Sequence, residues 1–340
     1  MKKWICLLGV LVAWGAGGQS DIMPRPPKPA PTGNELAQMI HDTRVGRPQT
    51  YRHLAVYPLL TRGAGGRGYV TLDDAIARAV LVVTEKGGGN VPELLVENRG
   101  DEPIFLLAGQ IVNGGKQNRV IAQDVLLAPR SGPISLGVFC VEQGRWVRQT
   151  DQFDGEKEMA HSNLRQQLNA PGASQRGVWD EVGRKASAVA PSAAGGTRYV
   201  GKVYEDKDVK ESVDDYLKNV QLPGDANGMA VVLAGRVVGV ELFGDTETFG
   251  KLRDKLLRSY AMDALEYKDA GKVAERRVVE QFLRRAEDVR LVARESVGIG
   301  QFFKVEGGHL YGSVLVWRDQ PGRQAVAHAS LFDDSPVIGK

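Results

Sequence analysis

Apolar residues in the first part of the chain come in short runs separated by turn-forming residues: Leu54 to Leu59, Leu81 to Thr84, Glu93 to Glu97, Ile104 to Leu107, Val120 to Leu127 and Ile134 to Val141. Asn98-Arg99-Gly100-Asp101, Gly114-Gly115 and Pro129 to Pro133 supply turn chemistry between them. Strands this closely spaced predict antiparallel pairing, because a parallel return needs a long crossover. Pro58 predicts an edge or strand end for the first of them. Thr71-Leu72-Asp73-Asp74 reads as a helix start, and Leu72, Ala75, Ile76 and Ala79 continue it at helical spacing.

The pattern changes from Thr150 to Pro223. Apolar positions thin out and flexible stretches intervene, at Pro171 to Ser174 and Pro191 to Gly196. Only Val209, Val213, Tyr216, Leu217 and Val220 mark a helical face, so the segment reads as a loosely structured insertion, bridge or lid. Regular patterning returns with a strand pair, Met229 to Leu233 and Arg236 to Phe243, joined at Ala234-Gly235. A helix follows, lined by Phe249, Leu252, Leu256, Leu257, Tyr260, Ala261 and Ala264, and a second spans Val273 to Ala286. Gly307-Gly308 marks a hairpin between Phe302 to Glu306 and His309 to Trp317. The predicted fold class is α+β, with an antiparallel β-rich, sandwich- or barrel-like first half packed against an α/β second half.

The N-terminus adds an address. Met1-Lys2-Lys3, an apolar run from Trp4 to Trp14 and small residues at Gly15 to Gly18 have the order of a secretory signal. The run is too short to span a bilayer, so cleavage would leave no transmembrane span and a secreted or periplasmic protein. A proline-rich tether follows, to Asn34. Removing Lys2 and Lys3 lowers the formal net charge from +3 to +1, which argues against a nucleic-acid partner. Cleavage also leaves Cys140 as the one cysteine, so no intramolecular disulfide can form.

Candidate chemistry gathers in two polar clusters beside strands, Gly114-Gly115-Lys116-Gln117-Asn118-Arg119 and Cys140-Val141-Glu142-Gln143-Gly144-Arg145-Trp146. The first lacks the spacing of a phosphate loop and reads either as a solvated turn or as part of a binding site. Brought together, Lys116, Gln117, Asn118, Arg119, Glu142, Arg145 and Trp146 would suit an anionic, planar ligand. Glu142 and Arg145 also suit a structural ion pair. Cys140 shares its strand face with Ile134, Leu136 and Val138, as a core residue would, while a nucleophile there would need a base, with Glu142 as the nearby candidate. The histidines lie far from Cys140 in sequence; His309 or His328 could approach it in space, which spacing does not show. No histidine pair at ligand spacing and no C-x-x-C is present, so no metal site is expected.

Several stretches together resemble the ARG and rhodanese-phosphatase-superfamily-associated protein domain, abbreviated ARPP, a family of unknown activity. They are Val56 to Leu59, Tyr69 to Ala75, Leu106 to Gly109, Gly115 to Arg119, Cys140 to Trp146, Val240 to Phe243 and Leu256 to Ala264. The likeness runs over residues 48–332. The family's name implies a link to ADP-ribose or phosphorylated ligands, and no catalytic residues carry over. The expected organisation is a signal (1–18), a tether (19–47), the ARPP-like domain (48–332) and a tail (333–340). Within the domain, 48–149 is the β-rich part, 150–224 the polar insertion and 225–332 the α/β part. The expected function is an accessory module binding an ADP-ribose- or nucleotide-like anion. A Cys140-dependent hydrolase or transferase and an envelope protein-interaction module are the alternatives, and no cofactor is indicated.

Overall fold

Leu54–Thr61 is buried on both faces, and the sheet is laid out around it. Leu54 and Val56 enter one apolar cluster while Ala55, Tyr57 and Leu59 enter another. In the computed structural model, which describes residues 35–65, 68–88, 92–191, 198–267, 275–318, 322 and 324–333, this strand pairs antiparallel with Gly228–Leu233. The sheet then continues through Arg236–Phe243, Gln324–Asp333, Leu310–Arg318 and Gln301–Gly307 to Arg290–Arg294. On its other side Leu54–Thr61 meets two short strands in succession, Thr43–Val45 and Gln49–Tyr51, completing nine strands. The expected halves are therefore interleaved, since a strand from the β-rich part sits inside the sheet built by the C-terminal part. Pro58 is not at an edge. Its carbonyl accepts from Gly46 N at 2.8 Å, so its missing N–H also faces the short strands, and the ladder with Gly228–Leu233 keeps its bonds.

The remaining strands form a six-stranded sheet, ordered Asp154–Met159, Gln110–Asn113, Arg119–Ile121, Ile134–Cys140, Glu93–Asn98 and Leu81–Glu85. A three-stranded sheet comprises Val125–Leu127, Ile104–Leu106 and Val70–Thr71, and Glu142–Gln143 pairs separately with Arg198–Tyr199. Antiparallel pairing holds for every ladder among the described residues except Val70–Thr71 with Ile104–Leu106. The run Val120 to Leu127 is not one strand. It breaks at Ala122-Gln123-Asp124, which carries the chain from one sheet to another, and the break brings Asp124 Oδ1 to Ala108 N at 2.8 Å.

Thr71 caps Leu72–Ala77, its hydroxyl accepting from Asp74 N at 3.3 Å. Ala79 has left the helix at φ +54°. The long helix Thr246–Ala264 buries the expected apolar face, and Asp245 caps it by accepting from Thr248 N at 2.9 Å. Such a cap contributes about 1 kcal/mol.

Where it is described, the polar segment is not loose. It folds into Asp154–Met159 and the helices Ser162–Asn169, Gln175–Val189, Val200–Glu205 and Lys207–Asn219. Each helix docks on a few residues, among them Leu164, Leu168, Val178, Val182, Val203, Tyr204, Val213 and Tyr216, all buried in the cluster under the sheet. Charges that look like solvated surface are used inside: Lys185, 1% exposed, pairs with Asp263 and Glu266 on or beside the long helix. The expected signal, the expected tether up to Asn34 and the tail after Asp333 lie outside the described residues, as do Val273 and the next position of the later helix, which is described as Arg276–Glu287. The rest of the expected tether, 35–47, is not a tether: it forms the helix Glu35–His41 and the strand Thr43–Val45, and Leu36, Met39, Ile40 and Val45 are buried in the core, because these apolar residues have a sheet face to pack on.

Candidate ligand site

The first polar cluster is the loop between the paired strands Gln110–Asn113 and Arg119–Ile121. Gly114 and Gly115 take φ +141° and +49°, and a Cβ at Gly115 would collide with Glu85 Oε1 and the Phe153 ring. Only glycine brings the backbone that close. The loop then folds inward: Lys116 N donates to Glu85 Oε1 at 2.8 Å and Gly114 N to Asn118 Oδ1 at 3.0 Å.

The second cluster follows the strand Ile134–Cys140, whose Cys140 stands opposite Arg119 in the ladder. The two clusters are thereby neighbours, and they bond to one another. Gln117 Nε2 donates to Glu142 O at 2.9 Å, and Asn118 N to Glu142 Oε2 at 3.2 Å. Arg145 gathers the rest, with Nε on Glu142 Oε2 at 2.7 Å, Nη1 on Gly115 O at 3.1 Å and on Val147 O at 3.0 Å, and Nη2 on Asn118 Oδ1 at 3.1 Å. The Glu142–Arg145 pair is thus formed and largely shielded, as the structural reading of these residues expects.

This arrangement divides the seven sequence candidates. Gln117, Asn118, Arg119 and Glu142 are buried, and the bonds they make are to protein, although Arg119 Nε and Nη2 have no hydrogen-bond partner among the described residues. Arg119 is fully buried, donates from Nη1 to Gln117 O at 2.6 Å and lies 3.8 Å from Glu85 Oε1. No ligand touches it without opening the fold. Trp146, by contrast, is 48% exposed and its neighbour Val147 71% exposed. Lys116 Nζ stands 5.1 Å from the centre of the Trp146 ring, a cation–π distance. The outward-facing remainder is a lip of Lys116, Trp146 and the rim of Arg145.

Cys140 is fully buried. Burial pushes its thiol up to about 11, against the pull of the nearby Arg119. Gln175 brackets its backbone, accepting from Cys140 N and donating to Cys140 O, both at 2.8 Å. A thiol protonated at neutral pH and sealed from solvent is a poor nucleophile. Glu142 is committed to Arg145 and Asn118, and His328 is occupied elsewhere.

Where His328 goes is the cluster that sequence reading missed. In the sheet, His328 Nδ1 lies 2.7 Å from Asp124 Oδ2 and Nε2 lies 3.0 Å from Glu241 Oε2. Glu241 Oε1 accepts from Arg165 Nη1 at 2.7 Å and from Tyr260 Oη at 2.6 Å. Burial alone would depress the imidazolium, yet the two carboxylates outweigh it and push His328 up to about 9. Burial would likewise raise Glu241, but Arg165 and His328 hold it down at about 2. Two cations and two anions thus balance in a site closed to solvent, which suits a structural ion cluster. A charged residue inside Val240-Glu241-Leu242-Phe243 was the available signal, because an acid between apolar neighbours of an inner strand must find a partner.

Among the described residues no group of His, Cys, Asp or Glu side chains is arranged to hold a metal ion, and no helix is long and apolar enough to cross a membrane. Two open clefts, of about 420 and 410 Å³, lie elsewhere and contain none of the seven candidates.

The model of the ARG and Rhodanese-Phosphatase-superfamily-associated Protein domain, ARPP-1, matches residues 42–332. The chain belongs to that family, and the match covers the interleaved sheets and the helical segment together. No curated protein shows a significant match to it.

Proposed function

We propose that this protein is a binding module rather than a catalyst, and that the lip of Lys116 and Trp146 receives a planar, anionic ligand of the ADP-ribose or nucleotide type. The observation that carries this is the half-exposed Trp146 ring with Lys116 Nζ 5.1 Å from its centre. An aromatic face offers stacking to a base, and an adjacent ammonium offers charge to a phosphate. Behind them, Gln117, Asn118, Glu142 and Arg145 serve as the frame that holds the lip in place. Export is part of the same reading and rests on the apolar run from Trp4 to Trp14 after two lysines.

Calorimetric titration with ADP-ribose, with adenosine as the uncharged control, tests the assignment. ADP-ribose should bind saturably and adenosine far more weakly. Lys116→Ala should reduce that difference and Trp146→Ala should weaken both ligands. No saturable heat with ADP-ribose, or unchanged binding by Trp146→Ala, overturns the reading.

A protein partner is the second reading, favoured by Val147, which extends the exposed apolar surface beyond Trp146. Capture of an envelope protein by the wild type and equally by Val147→Asp would count against it.

A further inference from the structure

The notch where the edge of the large sheet meets the loop after the helix Lys207–Asn219 has a chemistry of its own. Its floor and walls are Pro58, Leu60, Leu222 and Pro223, and its volume is about 410 Å³. That is within the size of small-molecule sites, roughly 300–1,000 Å³. Both sides are tied down. Gly46 N donates to Pro58 O at 2.8 Å, and a Cβ on Gly46 would stand 2.7 Å from Pro58 Cγ, so the chain crosses here only as glycine. Opposite, Arg253 Nη1 donates to Leu222 O at 3.4 Å and Asn227 N to Leu59 O at 3.0 Å, anchoring the loop at each end.

Two arginines, Arg44 and Arg47, project at this notch. Among the described residues neither guanidinium has an ion pair or a hydrogen bond, unlike Arg78, Arg99, Arg130 and Arg148, each on a carboxylate. Gln49 and Gln221 add amides, and Asp225 is the one carboxylate in the lining. Two unpaired planar cations lining one cleft suit a dianion, which guanidinium forks grip with paired hydrogen bonds. A single carboxylate at the same notch would repel a bare anion but accept a hydrogen bond from a hydroxyl on the body of a larger ligand.

We infer that the Arg44–Arg47 notch is a second binding site, distinct from the Trp146 lip, and that it takes a sugar phosphate. The phosphate lies between the two guanidiniums and a ligand hydroxyl donates to Asp225. The inference does not depend on the function proposed above, because no residue is shared between the two sites.

The test is calorimetry on the full chain at low salt with ribose 5-phosphate, inorganic phosphate and ribose. Ribose 5-phosphate should bind more tightly than inorganic phosphate, and ribose should give no saturable heat. Arg44→Ala/Arg47→Ala should lose at least about tenfold in affinity, the scale of a charged hydrogen bond. Asp225→Asn should bring ribose 5-phosphate toward the affinity of inorganic phosphate, while Lys116→Ala/Trp146→Ala should leave ribose 5-phosphate unaffected. Thermal unfolding confirms that each variant is folded; if the double arginine variant does not fold, Arg44→Gln and Arg47→Gln separately replace it. Wild-type protein without saturable binding, or binding unchanged in the arginine variants, overturns the inference. Binding abolished by Lys116→Ala/Trp146→Ala alone would overturn it as well, leaving the lip as the phosphate site.

Discussion

His328 Nε2 lies 3.0 Å from Glu241 Oε2, joining two adjacent strands by a charge pair that neither exposes to solvent. Arg165 reaches the same carboxylate from a helix of the polar segment, and Asp124 reaches the imidazole from the break between two strands. Four distant parts of the chain thus meet at one electrostatic point. Removing one member strands the others in a low-dielectric interior. Glu241→Ala should therefore cost about 3–5 kcal/mol of stability. Chemical denaturation of the variant measures it, and a cost near zero would mean that water reaches the cluster.

The same cluster sets a pH window. His328 has a folded value of about 9 against an ordinary 6.5, so its contribution is complete below 6.5 and is lost as pH rises through 9. Glu241 is held at about 2 against an ordinary 4.5, so its contribution is present above 4.5 and is lost as pH falls through 2. Stability measured by denaturant from pH 5 to 10 should decline on the alkaline side, and His328→Gln should flatten that decline. An unchanged slope in His328→Gln would assign the alkaline loss to other groups.

Cys140 should behave as core. The native protein should resist iodoacetamide at neutral pH and react fully once unfolded, because the thiol is buried and pushed up to about 11. Mass spectrometry of the alkylated protein reads this directly. Rapid labelling of the folded protein would restore the nucleophile alternative.

Gly115 has a steric rather than a chemical role. Gly115→Ala places a methyl against Glu85 and Phe153 at a positive φ and should destabilise by more than about 1 kcal/mol. A melting temperature equal to wild type would show that the loop repacks freely.

These particulars explain what could be read from the chain alone. Arg236 to Phe243 and the long helix after it were legible because their apolar spacing coincides with the faces they bury. The helix Lys207–Asn219 was legible for the same reason, from Val209, Val213 and Tyr216, whereas the helices between Ser162 and Glu205 were not, because each buries only a few apolar residues and relies on partners such as Asp263 for Lys185 that lie far along the sequence. Adjacency of the two polar clusters was legible from the strands that carry them. Their orientation was not, since spacing does not tell whether Asn118 and Glu142 bond a ligand or each other. Arg119 illustrates the cost of that ambiguity: its charge suggested a ligand contact, whereas it is fully buried opposite Cys140.

The proposed function divides labour within the two clusters, with Glu142 and Asn118 as frame and Lys116 and Trp146 as ligand contacts. Measuring ADP-ribose affinity and melting temperature together in Glu142→Gln and Trp146→Ala tests it most directly. Trp146→Ala should lose binding at an unchanged melting temperature, and Glu142→Gln should lower the melting temperature first, by several degrees. Full binding by Trp146→Ala, or a Glu142→Gln protein as stable as wild type, would contradict it.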